Sequence, residues 1–229
     1  MAGFPNDNFS KTARQNMLIG QLIPNRISDL RLLNAMSNVP REKFLPERLG
    51  GRAYADETIR IDDNRLLFSP EILARLLSAA ELGENDFVLD VKSGSGYSAA
   101  VMAGLTQAVV ALENDSSLCE TAQQILIEAE IDNVAVINKN PDEGFPSQSP
   151  FDVIFMEGIV FHIPERLEEQ LAENGRLIAV LSRNGESTGQ VVRLVRREGI
   201  ISRSVLFTLD LSGYSRQTSY KRFVFETVS

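Results

Sequence analysis

The sequence predicts a doubly wound α/β fold with a mostly parallel sheet, a helical N-terminal portion and an antiparallel C-terminal part. Three observations predict it. Short apolar runs alternate with amphipathic segments from residue 87 to about 181, the runs are nearly free of polar residues, and the first of them ends in a glycine-rich turn. A chain of 229 residues is long enough to form one domain with a substantial core, and we expect a single domain over 1–229.

The N-terminal portion, residues 1–60, has helical periodicity in two segments. These are TARQNMLIGQLI (12–23) and SDLRLLNAM (28–36), and Ser28 or Asp29 can cap the second. A third helix is predicted to begin at Ser69-Pro70-Glu71, where a hydroxyl precedes a proline of the first turn, and it leads into the sheet.

The predicted cofactor-binding core, residues 69–182, contains five strands, which are 87–91, 108–113, 133–138, 151–156 and 175–181. Between them, Asp115 or Ser116 can cap one helix, and Pro164 is predicted to start another that ends near Asn174-Gly175. The C-terminal portion, residues 183–229, is predicted to be β-rich, with strand-like runs at 190–197, 204–210 and 221–228.

Composition excludes several function classes. The net charge of -8 opposes binding to nucleic acid, and no apolar run approaches the roughly 20 residues that span a bilayer. The only cysteine, Cys119, lies at a core-facing helical position, and the only histidine, His162, lies in a predicted loop, so neither a His/Cys metal cluster nor a catalytic triad is supported. We expect a cytoplasmic protein with no metal ion.

The run FVLDVKSGSGYS (87–98) has the pattern of a nucleotide-cradling turn. A strand followed by Gly94 and Gly96 lets backbone approach a ligand closely, and Glu113, at the end of the next strand, can accept hydrogen bonds from both ribose hydroxyls. Lys92 stands where such turns usually have their first glycine. The spacing fits the E/D-x-G-x-G-x-G turn of S-adenosylmethionine methyltransferases better than the G-x-G-x-x-G turn of nicotinamide or flavin proteins, while a turn that merely joins strand and helix is the third alternative.

With this turn placed, nearly the whole chain resembles the protein-L-isoaspartate O-methyltransferase family. The stretches that carry the resemblance are 39–56, 69–103, 109–118, 145–158 and 172–181, and the segment VPREKF before AYAD is the most distinctive. The resemblance implies a Rossmann-like methyltransferase sheet and an S-adenosylmethionine-dependent methyl transfer to the carboxylate of a damaged protein or peptide, which begins repair. It implies that the cofactor is held by Asp90, Ser93, Gly94, Gly96, Glu113 and Asn140.

Three positions depart from the family pattern. The substrate loop G-x-G-x-T-I-S-x-P falls on 62–70, so that Leu66 and Phe68 replace its threonine and serine, and Ser69 is the remaining candidate for a catalytic hydroxyl. Lys139-Asn140-Pro141 replaces the Gly-Asp-Gly after the third strand, and Lys92 replaces a glycine. The alternative hypothesis is therefore an inactive binding or regulatory protein of the same fold, with residues 66–68 as an apolar partner surface or part of a plugged pocket. For at least two of these three residues, however, we expect ordinary core packing.

Overall fold

A computed structural model describes residues 7–61, 65–183 and 186–212. In chain order, its longer elements are α1 (Asp7–Met17), α2 (Leu30–Asn38), β1 (Ile59–Arg60), β2 (Leu66–Leu67), α3 (Pro70–Ala80), β3 (Phe87–Val91), α4 (Tyr97–Ala103), β4 (Ala108–Glu113), α5 (Ser116–Glu128), β5 (Val134–Asn138), β6 (Phe151–Val160), α6 (Glu165–Glu169), β7 (Leu171–Leu181), β8 (Thr188–Arg197) and β9 (Ile200–Asp210). A π-helical turn, Leu18–Leu22, continues α1, and short 3-10 turns occur at Arg41–Phe44, Glu47–Arg52 and Pro141–Glu143.

One seven-stranded sheet, in the order β5-β4-β3-β6-β7-β8-β9, organises the molecule. The strands from β5 to β7 are parallel, whereas β8 and β9 are antiparallel to their neighbours. The predicted fold class is thus confirmed, including its antiparallel C-terminal part. The strand-like run 221–228 lies outside the described residues.

Helix caps occur where the sequence predicts them. The Ser69 hydroxyl accepts a hydrogen bond from the Ile72 amide, and the carboxylates of Asp29 and Asp115 accept bonds from the first free amides of α2 and α5. Caps and apolar stripes fix where each helix begins and which face it turns to the sheet. The apolar side chains of α1 to α3 form one continuous core with the strand residues on one face of the sheet, such as Val88 and Val153.

The predicted helix from Pro164 to about Asn174 is wrong in its length. It ends at Glu169, and β7 begins at Leu171, which pairs with Phe151. Residues 172–175 form an irregularity in which Asn174 has a positive φ of 64° and a Cβ on Gly175 would lie 2.8 Å from the Ala172 carbonyl oxygen. The Asn-Gly pair that resembles a helix end is therefore part of a bulged strand.

No helix within the described ranges is long and apolar enough to cross a membrane.

Candidate functional site

The candidate site lies at the carboxyl ends of β3, β4 and β5. The sheet register pairs Asp90 with Ala111 and Glu113 with Asn138, so the glycine turn after β3, the last residue of β4 and the loop after β5 meet at one edge. In open α/β sheets, this edge is where ligands bind. The predicted cofactor residues of the glycine turn are brought together with Glu113 by this topology.

The glycine turn has the backbone geometry that its sequence demands. Gly94 and Gly96 have φ values of 57° and 87°, which non-glycine residues rarely adopt. A Cβ on Gly96 would lie 3.2 Å from the Ala122 Cβ, whereas one on Gly94 would meet nothing within 4 Å. Gly96 is thus required for packing of the turn against α5, and Gly94 leaves open space beside the turn.

Several buried polar atoms around this turn have no hydrogen-bond partner within the described part of the chain. They are Asp90 Oδ1, Ser93 Oγ and Ser95 Oγ. Buried polar groups are nearly always paired in native proteins, so a concentration of unpaired ones indicates a surface that binds a polar ligand. Asp90 and Ser93, both predicted from the sequence, belong to it.

Two buried carboxyl groups, those of Asp90 and Glu157, lie together behind the turn. Asp90 is fully buried and accepts a hydrogen bond of 2.8 Å from the Ser98 hydroxyl. Burial, together with the nearby charge of Glu157, raises the pKa of Asp90 well above its ordinary range, and burial raises the pKa of Glu157 to about 7. Sequence reasoning missed Glu157, although a glutamate within the apolar run of β6 was the available signal.

Glu113 is completely buried and saturated with donors. The amides of Gly94, Asn114 and Asp115 donate to its carboxylate at 3.0, 2.7 and 2.9 Å. The Arg65 guanidinium adds a bidentate contact, with Nε at 2.7 Å from Oε2 and Nη2 bonded to Oε1. Burial alone would raise the pKa of Glu113, but the hydrogen bonds from Arg65, Asp115 and Gly94 and the charge of Arg65 together outweigh burial and lower the pKa below its ordinary value.

Asn140 and Lys92 both contact Asp142, in the loop after β5. The Asn140 amide oxygen accepts a bond from the Asp142 amide at 3.1 Å, which caps the turn Pro141–Glu143. Lys92 has a positive φ of 65°, and its Nζ lies 3.8 Å from Asp142 Oδ1 with both side chains partly exposed. Lys92 therefore adopts the backbone geometry of the glycine it replaces, and its ammonium group pairs with the loop after β5.

Arg41, a residue with no exposed surface, anchors the segment before α3 through hydrogen bonds to backbone carbonyl groups. Arg41 Nε donates to the Ala53 carbonyl at 2.8 Å and Nη2 donates to the Phe68 carbonyl at 2.5 Å. Phe68 and Leu67 are buried in the core, and Leu66 is half-buried. The expectation that at least two of residues 66–68 are ordinary core is confirmed for Leu67 and Phe68, which are therefore not available as an apolar partner surface.

Ser69, the candidate catalytic hydroxyl, is 4% exposed and serves as the cap of α3. Its amide donates to the Thr58 hydroxyl at 2.9 Å, so both polar ends of the residue hold local structure. Cys119 is a buried free thiol, and burial raises its pKa, as the expectation of an unreactive core thiol requires. His162 is exposed in the loop after β6.

Comparison with known proteins identifies relatives over most of the chain. Residues 13–208 match the family model of protein-L-isoaspartate(D-aspartate) O-methyltransferase. A protein-L-isoaspartate O-methyltransferase of Koribacter versatilis is 35% identical over 198 residues, which cover 86% of this chain and 88% of the relative. Protein-L-isoaspartate O-methyltransferase 1 of Syntrophobacter fumaroxidans is 37% identical over 75% of this chain and 79% of the relative.

Solved structures agree on the fold. A protein-L-isoaspartate O-methyltransferase superposes with a TM-score of 0.75 at 25% identity over 86% of this chain, which spans 64% of that protein's length. A Plasmodium falciparum structure assigned to the same family, in complex with S-adenosyl-L-homocysteine, superposes with a TM-score of 0.72 at 24% identity over 87% of this chain and 95% of that one.

Proposed function

The chain belongs to the protein-L-isoaspartate O-methyltransferase family, and we propose that it transfers a methyl group from S-adenosylmethionine to the carboxylate of an isoaspartyl residue in a protein or peptide. The observation that carries the proposal is the pairing of the glycine turn with Glu113, whose carboxylate accepts a hydrogen bond from the Gly94 amide. That contact holds Glu113, the acid that we propose for the ribose, beside the turn.

The residues of the site fit the cofactor at its methionyl end. Open space beside Gly94 allows a ligand to approach the backbone, and Asp90 Oδ1, Ser93 Oγ and Ser95 Oγ have unused hydrogen-bonding capacity. We propose that Asp90, Ser93, Gly94 and Gly96 bind this end and that Glu113 binds the ribose. The Asn140 amide oxygen has two lone pairs, of which one accepts the bond from the Asp142 amide, so the other can accept a bond from adenine.

S-adenosylmethionine supplies a methyl group on a positively charged sulfur. The acceptor carboxylate is already ionised at neutral pH, so no proton has to move, and the site's contribution is alignment and exclusion of water. Arg41 contributes to alignment as a positioning residue, because it holds the Phe68 carbonyl and thereby the segment that resembles the family's substrate loop. Ser69 Oγ can contact the acceptor only by adding a bond to its capping role.

A second candidate function is binding or regulation without methyl transfer. Two features favour it. Counted without gaps from Tyr54 to Pro70, the family's loop hydroxyls fall on Leu66 and the buried Phe68, which cannot donate to a carboxylate. In addition, Glu113 already accepts hydrogen bonds from Arg65 and three backbone amides.

The deciding experiment measures transfer of a labelled methyl group from S-adenosylmethionine to an isoaspartyl peptide, with the aspartyl peptide of the same sequence as control. We expect base-labile labelling of the first peptide only, and its loss in Glu113→Ala. Binding of S-adenosylhomocysteine without labelling would favour the second candidate. If neither binding nor labelling occurs, the methyltransferase proposal is contradicted, and the second candidate stands without this cofactor.

We further infer that the portions 1–60, 69–182 and 183–229 act as one domain, because apolar residues from Met17 to Leu211 share a core. A cytoplasmic location fits the buried free thiol of Cys119.

A further inference from the structure

The contact between Arg65 and Glu113 joins two parts of the site that are 48 residues apart in the chain. Arg65 immediately precedes β2, and its backbone oxygen accepts a bond from the Ile61 amide at 2.9 Å. Its guanidinium also donates to Asn114 Oδ1, and its side chain is only 13% exposed. A bidentate, largely buried contact of this kind is far stronger than an exposed ion pair.

The Glu113 carboxylate has no remaining acceptor site for a sugar. A carboxylate offers about four lone-pair sites. Arg65 supplies two donors, and the amides of Gly94, Asn114 and Asp115 supply three more. The five donors already exceed this number, so two ribose hydroxyls can bind the same oxygens only in place of the two Arg65 donors, and sugar and guanidinium compete for them.

We propose that Arg65 sets the cofactor affinity of this site by competing with the ribose for Glu113. The inference rests on the proposed function, since it concerns the same acid. The ligand binds only to molecules in which the guanidinium has left the carboxylate, and the apparent dissociation constant rises as that fraction falls. After Arg65 leaves, the three backbone amides still donate to Glu113, so the buried carboxylate keeps hydrogen-bond partners.

The test is the affinity for S-adenosylhomocysteine, measured by calorimetry on the purified full chain and on Arg65→Gln. We expect the variant to bind about ten- to a hundredfold more tightly, the factor that corresponds to the net loss of one charge-assisted hydrogen bond, since a glutamine amide can still make a neutral one. Arg65→Lys keeps the charge but loses the bidentate geometry, so its affinity should lie between the two.

Arg52→Gln is the matched control. Arg52 makes a bidentate contact with Glu57 at 2.7 and 2.8 Å, but both side chains are about half exposed and no contact joins them to the glycine turn or Glu113 in the described part of the chain. Its removal should leave the affinity for S-adenosylhomocysteine unchanged.

Thermal denaturation provides a second measurement on the same proteins. Without ligand, Arg65→Gln should melt at a lower temperature than the unmodified chain, since a partly buried contact is lost. Saturating S-adenosylhomocysteine should raise the melting temperature of the variant by more than that of the unmodified chain, because tighter binding adds more stability.

Equal or weaker binding by Arg65→Gln would overturn the competition while leaving the proposed function intact, because the ligand still binds. Absence of binding in both proteins would overturn the inference and the proposed cofactor site together. A variant that binds tightly while the unmodified chain does not would support both.

Discussion

Replacement of Glu157 by glutamine should make the protein more stable at alkaline pH and should flatten the dependence of its stability on pH. Glu157 is 8% exposed and lies within β6, where its neighbours include the carboxyl group of Asp90 and the guanidinium of Arg41. Glutamine keeps the size and polarity of the side chain and removes only its charge. The substitution therefore isolates the cost of ionising this buried group.

The magnitude follows from the pKa. Burial raises the pKa of Glu157 to about 7 from an ordinary value of 4.5. Between these two values, the folded protein binds a proton that the unfolded chain has released, so stability is complete below pH 4.5 and falls as the pH rises to 7. At about 1.4 kcal/mol for each pH unit of separation, the loss is about 3 kcal/mol.

The assay is urea unfolding at a series of pH values from about 4.5 to 8, followed by circular dichroism, for the unmodified chain and for Glu157→Gln. The free energies of unfolding should differ by about 3 kcal/mol more at pH 8 than at pH 4.5. Glu128→Gln, a substitution of an exposed glutamate on α5, is the control and should give a constant difference. Parallel pH curves for Glu157→Gln and the unmodified chain would refute the assignment of this ionisation to Glu157.

Three further substitutions test other parts of the account. Gly94→Ala should lower the free energy of unfolding by only about 1 to 2 kcal/mol, because alanine at a φ of 57° is strained, but it should abolish calorimetric binding of S-adenosylhomocysteine. Retained binding would contradict a ligand beside this glycine. Arg41→Met leaves two carbonyl groups without a donor and should lower the free energy of unfolding in urea by about 3 kcal/mol; a loss below about 1 kcal/mol would contradict its anchoring role. Lys92→Gly relieves the strain of a positive φ and loses a partly exposed ion pair with Asp142, and these small effects oppose each other. The melting temperature and the affinity for S-adenosylhomocysteine should therefore change little, and a marked loss of binding would show that Lys92 contacts the ligand.

The sheet and the glycine turn could be predicted because their determinants are local. The strand bounds 87–91 and 108–113 are those of β3 and β4, since each is a buried apolar run ended by a polar residue or a turn. The caps at Ser69 and Asp115 are local for the same reason. The helix after Pro164 could not be predicted in its length, because the pairing of Leu171 with Phe151 is a contact between distant parts of the chain.

The candidate site was predictable in its list of residues but not in its contacts. Nothing in the sequence indicates that Arg65 reaches Glu113, which lies 48 positions away, or that Arg41 is fully buried. The same holds for Glu157, whose proximity to Asp90 follows from the pairing of β3 with β6. These interactions depend on tertiary packing, which residue patterns along one element do not record.

The most direct test of the central claim is a crystal structure of the chain grown with S-adenosylhomocysteine. We expect the ribose hydroxyls to lie within hydrogen-bonding distance of the Glu113 carboxylate, with the Arg65 guanidinium displaced from it and the methionyl end beside Gly94. A bound ligand whose ribose lies elsewhere, with the contact between Arg65 and Glu113 intact, would contradict the account.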